Sequence, residues 1–152
     1  NVGDVSHLSG TVGAAMEGLY HGIPAIAVSQ DSDGVNTRTT AKFAANLVAK
    51  YQREGAPVDT MISINVPAGE LKGVAVRPMG DSYLKTASYQ PVEQNTNQTV
   101  YERERIIVQA ENSNTDTYAF QHGYITITPL KFDWTDHQLL NEVESWKLQL
   151  VE

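Results

Sequence analysis

The segment Asn1-Val2-Gly3-Asp4, followed by Ser9-Gly10-Thr11-Val12-Gly13, holds the densest set of residues whose types can do chemistry. A loop of small residues and hydroxyls that opens into a helix presents backbone N–H groups and a positive dipole end, which together stabilise an anion such as phosphate. The same spacing fits an ordinary capped turn, and the residue types leave both readings open. No Gly-Lys-Ser/Thr follows, so the loop is not a P-loop, and its glycine spacing is not that of a dinucleotide fingerprint. His7, His21, His122 and His137 are scattered without ligand spacing, which fits surface or capping roles. His7 precedes Ser9 closely, yet no Gly-x-Ser-x-Gly elbow surrounds any serine, and a serine nucleophile is not expected. Asp133 and His137 lie one helical turn apart where a final helix would start, a spacing that predicts an ion pair or a cap contact. Asn97-Gln98-Thr99 matches a glycosylation sequon, but nothing in the chain indicates secretion. No Asp-Asp pair or tight carboxylate cluster follows an apolar strand, so the hard-metal ligands of a phosphatase are not expected among these residues.

The elements that must position the loop follow from periodicity. Ser9 to Gly22 reads as a turn feeding a short helix, with Ala14, Ala15, Met16 and Leu19 as its apolar stripe and Gly22 at its exit. Ile23 to Val28 is a nearly unbroken apolar run, as in a strand covered on both faces, and Asp31 to Gly34 is a polar turn. Ala41, Ala44, Leu47, Val48 and Tyr51 predict a helix from about Thr37 to Arg53, ended by Gly55 and Pro57. Met61 to Val66 is the next strand, stopped by Pro67. Helix–strand–helix–strand with buried-looking strands is the pattern of a mostly parallel α/β sheet.

The style then changes. Val74 to Arg77 is a short strand, and Asp81 to Asn114 is polar and rich in Tyr, Gln, Asn and Thr, with two arms around Gln94 to Gln98. That segment reads as a β-hairpin projecting from the core, and so polar a hairpin needs a second surface. Tyr124 to Thr128 alternates as a half-buried strand with Pro129 at its end. Thr135 and Gln138 form a capping box for a final helix, residues 135–150, with Leu139, Leu140, Val143, Trp146 and Leu150 on one side. Exchange of this helix between subunits and packing on its own core are both open.

The chain has 152 residues, 41% of them hydrophobic, a net charge of −7 and no cysteine. That is about one domain's worth, so residues 1–152 are read as a single α/β domain. The negative charge and the lack of a Lys/Arg cluster argue against a nucleic-acid polymer as partner. The absence of cysteine excludes disulfides, thiolate nucleophiles and Cys-based zinc sites. No apolar run approaches the roughly 18 residues of a membrane-spanning helix, and no leader opens the chain, so a cytoplasmic, membrane-free protein is the expectation. Asn1 is not a start methionine and a loop begins at once, so the chain reads as amino-terminally incomplete.

Ser9 to Gly18 (SGTVGAAMEG), followed by Gly22 to Ser29 (GIPAIAVS), closely resembles the survival protein SurE family of metal-dependent nucleotidases. The match continues in the family's order with Ile64-Asn65-Val66-Pro67, with Asn114-Thr115-Asp116 and with His122 to Leu130 (HGYITITPL). It weakens between Pro78 and Asn112, where the family's Arg-Gly and Tyr-Trp pattern is replaced by Tyr101-Glu-Arg-Glu-Arg105. The resemblance implies a Rossmann-like core, an extended hairpin and a swapped carboxy-terminal helix that build homodimers or homotetramers. It also implies a divalent cation, Mg²⁺ or Mn²⁺, held by an Asp-Asp pair, a Ser and an Asn that would all lie before Asn1. Asn1 matches the second Asn of the family's phosphate-facing loop, and Ser9, Gly10 and Thr11 match its Ser-Gly-Thr turn. Val5 stands where the family often carries an acidic residue, with Asp4 one place early. The implied activity is hydrolysis of nucleoside 5′- and 3′-monophosphates by an acid-phosphatase-like 5′-nucleotidase, to which this chain contributes the phosphate loop and without whose metal site it would be inactive. Asp133 and His137 would pin the hinge of the swapped helix. A non-catalytic anion-binding and oligomerisation module is the alternative from another class.

Overall fold

The computed structural model describes residues 1–150. A 3-10 helix, Gly3–Leu8, carries the first loop and leads straight into α1, Gly10–Tyr20. The Ser9 side chain caps α1 by accepting the Val12 N–H, and Gly22, at φ +72°, closes it. Strand β1, Ile26–Gln30, begins three residues later than the apolar run starts. The cause is local. The N–H groups of Gly22 and Ile23 bond back to Leu19 and Gly18 of α1, and Pro24 has no N–H to give a ladder.

Helix α2, Thr37–Glu54, starts where the Asn36 side chain accepts the Arg38 and Thr39 N–H groups, and it ends at Gly55. Strand β2, Met61–Val66, pairs in parallel with β1. Strand β3, Gly73–Val76, and β6, Tyr124–Leu130, complete a four-stranded sheet of order β1-β2-β6-β3. Pairing is parallel at β1/β2 and β3/β6 and antiparallel at β2/β6, so the sheet is mostly parallel with one antiparallel pair at its centre. Pro129 lies inside β6, opposite Ile62, rather than at its end. It is tolerated because the β3 ladder stops at the bond from Arg77 N–H to the Ile127 carbonyl, one step before an N–H of residue 129 would be used.

The two faces of the sheet carry separate cores, as side-chain alternation requires. Val12 and Leu19 of α1 pack on Ala27 and Met61 on one side. Ile64, Val66 and Ile125 pack on the other, with Phe43 and Leu47 of α2 against them. Helix α3, Asp116–Gln121, sits on β6 and β3 and is absent from the sequence reading, because a six-residue helix with buried Asp116 and Thr117 shows no apolar stripe.

The hairpin is β4, Leu84–Gln94, and β5, Thr99–Ile107, joined by a turn in which the Asn95 side chain accepts the Asn97 and Gln98 N–H groups. It is exposed along almost its whole length. The final helix is much shorter than the expected span 135–150: α4 is Leu140–Ser145. Asp136, not Thr135, accepts the N–H groups of Gln138 and Leu139, which makes residues 136–139 a turn. Lys147, at φ +49°, breaks the chain direction beyond. Leu139, Leu140, Val143, Trp146 and Leu150 are all exposed, and a short helix whose apolar stripe meets no partner has little to hold it in water. Among the described residues no helix is long and apolar enough to cross a membrane.

Candidate functional site

The first loop lies at the carboxy-terminal end of β1, where open α/β sheets bind ligands. Asn1 Nδ2 donates to Ser29 Oγ at 2.7 Å, and the Asn1 carbonyl accepts the Ser6 hydroxyl at 2.6 Å. Ser9 N–H in turn donates to the Ser6 carbonyl. This relay ties Asn1 to the head of α1, so the sequence-predicted set Asn1, Ser9, Gly10 and Thr11 is brought onto one loop and helix start. Gly10 and Thr11 are exposed there, in the first turn, where N–H groups have no helical carbonyl to meet. The Ser9 hydroxyl, by contrast, accepts the Val12 N–H at 3.2 Å and is half-buried, so it serves as a cap.

Two carboxylates absent from the predicted site fix this loop. Asp4 N–H donates to the Gly80 carbonyl at 2.8 Å, and its Oδ1 accepts the Ser82 N–H at 2.9 Å. Asp116, only 1% exposed, accepts the Gly3 N–H through Oδ2 at 3.1 Å and the Gly80 N–H through Oδ1 at 2.8 Å. The Thr117 hydroxyl donates to the Asp81 carbonyl at 2.7 Å. The first loop and the hairpin root, residues 80–82, are thus stapled together on top of α3. Periodicity could not find this arrangement; the signal in the sequence was the block Asn114-Thr115-Asp116, which the resemblance picked out without a role.

Beneath the loop the sheet is polar. Asn65 faces Thr126, and Ser63 faces Thr128, in the β2/β6 register, and all four are buried. Asn65 Nδ2 donates to Ser63 Oγ at 3.4 Å, while Asn65 Oδ1 and Thr126 Oγ1 have no protein partner. At the end of β1, Asp31 Oδ2 accepts the Ala68 N–H. Burial, with the Asp31 charge adding to it, pushes the Tyr83 phenol above its ordinary range.

The remaining candidates are spread out. Asp133 and His137 do pair, at 2.8 Å, but in the turn before α4 and not at a helix start. The Thr135 side chain and then His137 hold the Asp133 carboxyl well below the usual carboxylate range. His7 meets Trp134 edge-on at 4.7 Å, beside an apolar groove of about 610 Å³ that Val12, Met16, Leu130 and Phe132 also line. His21 bonds Glu17, and His122 stacks on Tyr118 at 3.9 Å. Among the described residues no group of three or more His, Cys, Asp or Glu side chains is placed to hold a metal ion. At the loop itself both Asp116 oxygens and Asp31 Oδ2 accept backbone N–H groups, and among the described residues no third carboxylate or histidine joins them in a ligand group. A divalent cation does not fit the residues present.

Residues 1–86, more than half of the chain, match the family model described as survival protein SurE. A 5′-nucleotidase SurE from Thermoanaerobacter sp. (strain X514) is 33% identical over 99% of this chain and 61% of its own length. One from Stenotrophomonas maltophilia (strain K279a) is 34% identical over 96% of this chain and 59% of its own. The crystal structure of the SurE protein from Aquifex aeolicus superposes with a TM-score of 0.77 at 30% identity, covering 97% of this chain and 61% of that one. The chain therefore spans about three fifths of the length of the relatives it matches. On the family match and this shared fold, the chain belongs to the survival protein SurE family.

Proposed function

We propose that this chain supplies the phosphate-binding loop of a phosphomonoesterase that hydrolyses nucleoside 5′(3′)-monophosphates to nucleoside and phosphate. The observation that carries the reading is the relay Asn1–Ser29 and Asn1–Ser6–Ser9, which sets the open first turn of α1 over the end of β1. The relatives' shared name, 5′-nucleotidase, points to the substrate class. In this reading the Gly10 and Thr11 N–H groups and the Thr11 hydroxyl meet the phosphoryl oxygens, where donors fixed in advance stabilise developing charge. Ser9 holds the helix start, and the Asn1 side chain is oriented by Ser29. No step is routed through a metal here, since the residues present do not fit one; the Mg²⁺ or Mn²⁺ implied by the resemblance would need ligands other than these. A homodimer or homotetramer is the proposed assembly.

The large apolar residues left exposed on β4 and β5 support a second reading, a non-catalytic anion-binding and oligomerisation module. Both readings share the loop, and one titration tests it. Inorganic phosphate and AMP added to the ¹⁵N-labelled chain should shift the amides of Gly10, Thr11 and Val12. Thr11→Val should weaken binding about 10- to 100-fold, the value of one hydrogen bond to a charged group, with an unchanged melting temperature. Shifts elsewhere, or none, remove the loop assignment from both readings.

A further inference from the structure

We propose that Asp116 is a positioning residue for the phosphate loop: its buried carboxylate fixes where Asn1 and the head of α1 stand, and makes the loop and the hairpin root move as one body. Asp116 is 1% exposed and lies on α3, away from the ligand-facing side chains of the loop. Burying a carboxylate is costly unless N–H donors satisfy it. Here two donors from segments far apart in sequence do so, Gly3 at 3.1 Å and Gly80 at 2.8 Å, with the Thr117 and Thr128 hydroxyls at 3.3 and 3.5 Å. A carboxylate, with one oxygen for each, takes N–H groups from both segments at once.

The geometry leaves the tie no slack. Gly3 sits at φ +71°, and a Cβ there would lie 2.7 Å from the Asp81 carbonyl oxygen and from Thr117 Oγ1. A Cβ on Gly80 would lie 2.6 Å from Thr115 Cβ. The backbone of both segments is therefore packed onto α3 with the Asp116 oxygens between them. Gly3 is two residues from Asn1, so a shift of its N–H moves the Asn1 side chain off Ser29 and, through Ser6, displaces Ser9. Asp116→Asn keeps the shape but replaces one acceptor by an NH₂ group aimed at an N–H, which opens one side of the tie.

The ligand in this proposal rests on the phosphate-loop reading; the tie does not, and the test separates them. Amide hydrogen exchange and inorganic phosphate titration are run on the 152-residue protein, on Asp116→Asn and on Ile64→Val, a core substitution on the α2 side. In the wild type, the Gly3 and Gly80 amides should be protected and open together. In Asp116→Asn, residues 3–9 and 80–82 should lose protection selectively and phosphate affinity should fall about tenfold or more, the scale of a misplaced binding group. In Ile64→Val any loss should spread over the α2-side core and leave phosphate affinity within twofold. Fast exchange of Gly3 and Gly80 in the wild type overturns the proposal without any variant, and so does a loss of protection in Asp116→Asn that is global or no greater than in Ile64→Val. Absence of phosphate binding in the wild type sinks the phosphate-loop reading, while the exchange pattern still decides the role of Asp116.

Discussion

Gly80 and Gly13 lie on either side of the same loop, and their surroundings give opposite signs to one substitution. A Cβ on Gly80 would meet Thr115 Cβ at 2.6 Å and Thr115 Oγ1 at 2.9 Å, and Thr115 is the residue that caps α3. Gly80→Ala should therefore cost about 1–3 kcal/mol, the range for overpacking. Gly13 lies inside α1 with nothing within 4 Å of its Cβ position, so Gly13→Ala should stabilise by about 0.5–1 kcal/mol. Urea midpoints of the two variants check both, and a destabilised Gly13→Ala would show that the α1 face is already occupied. At this scale the sequence is legible where a side chain acts locally: Ser9 caps within its own turn. The role of Asp116 is not legible, although its block Asn114-Thr115-Asp116 stood out by resemblance, because its partners Gly3 and Gly80 are distant in the chain and no periodicity links them.

Elements were readable in proportion to how far their own residues determine them. Helix α2 has a cap, a stripe and a glycine exit, and it falls where that pattern puts it. The hairpin turn, with the Asn95 side chain closing it, lies between the two expected arms. Strand β1 slid because its first residues were claimed by the α1 exit, and α4 shrank because its apolar stripe has nothing to bury against. That exposed stripe and the hairpin raise one expectation together. Leu84, Tyr89, Val92, Val100, Tyr101, Ile106 and Ile107 are exposed on β4 and β5, whose main contacts are with each other. Exposed apolar surface of this kind marks an interface, and a C₂ assembly would cover both. Removing residues 135–150, or replacing residues 86–105 by a short turn, should lower the mass seen by sedimentation at tens of micromolar while leaving the melting temperature of the α/β core nearly unchanged. An unchanged mass in both variants would mean that neither element carries the assembly.

At the scale of the molecule, phosphate recognition and phosphate hydrolysis separate. The loop at the end of β1 has donors for an anion, yet the chain carries a net charge of −7, and Asp4, Asp31 and Asp116 all stand near that loop with oxygens committed to N–H groups. Carboxylates so engaged hold backbone in place, and they do not converge on a common point as the ligands of a cation would. No group of three metal-ligating side chains, histidines included, exists among the described residues. In-line phosphoryl transfer needs charge neutralisation and an oriented nucleophile as well as a cradle, and only the cradle is proposed from these residues. The 152-residue chain should therefore bind AMP and phosphate but release no phosphate from AMP with either Mg²⁺ or Mn²⁺. Colorimetric phosphate assay with each metal, run beside the amide titration on the same sample, measures both halves. Binding without turnover is the expected result. Metal-dependent turnover that Thr11→Val abolishes would show that the chain assembles a complete active site from its own residues, with Asp31 and Asn65, at the ends of β1 and β2, the first to be substituted in finding it.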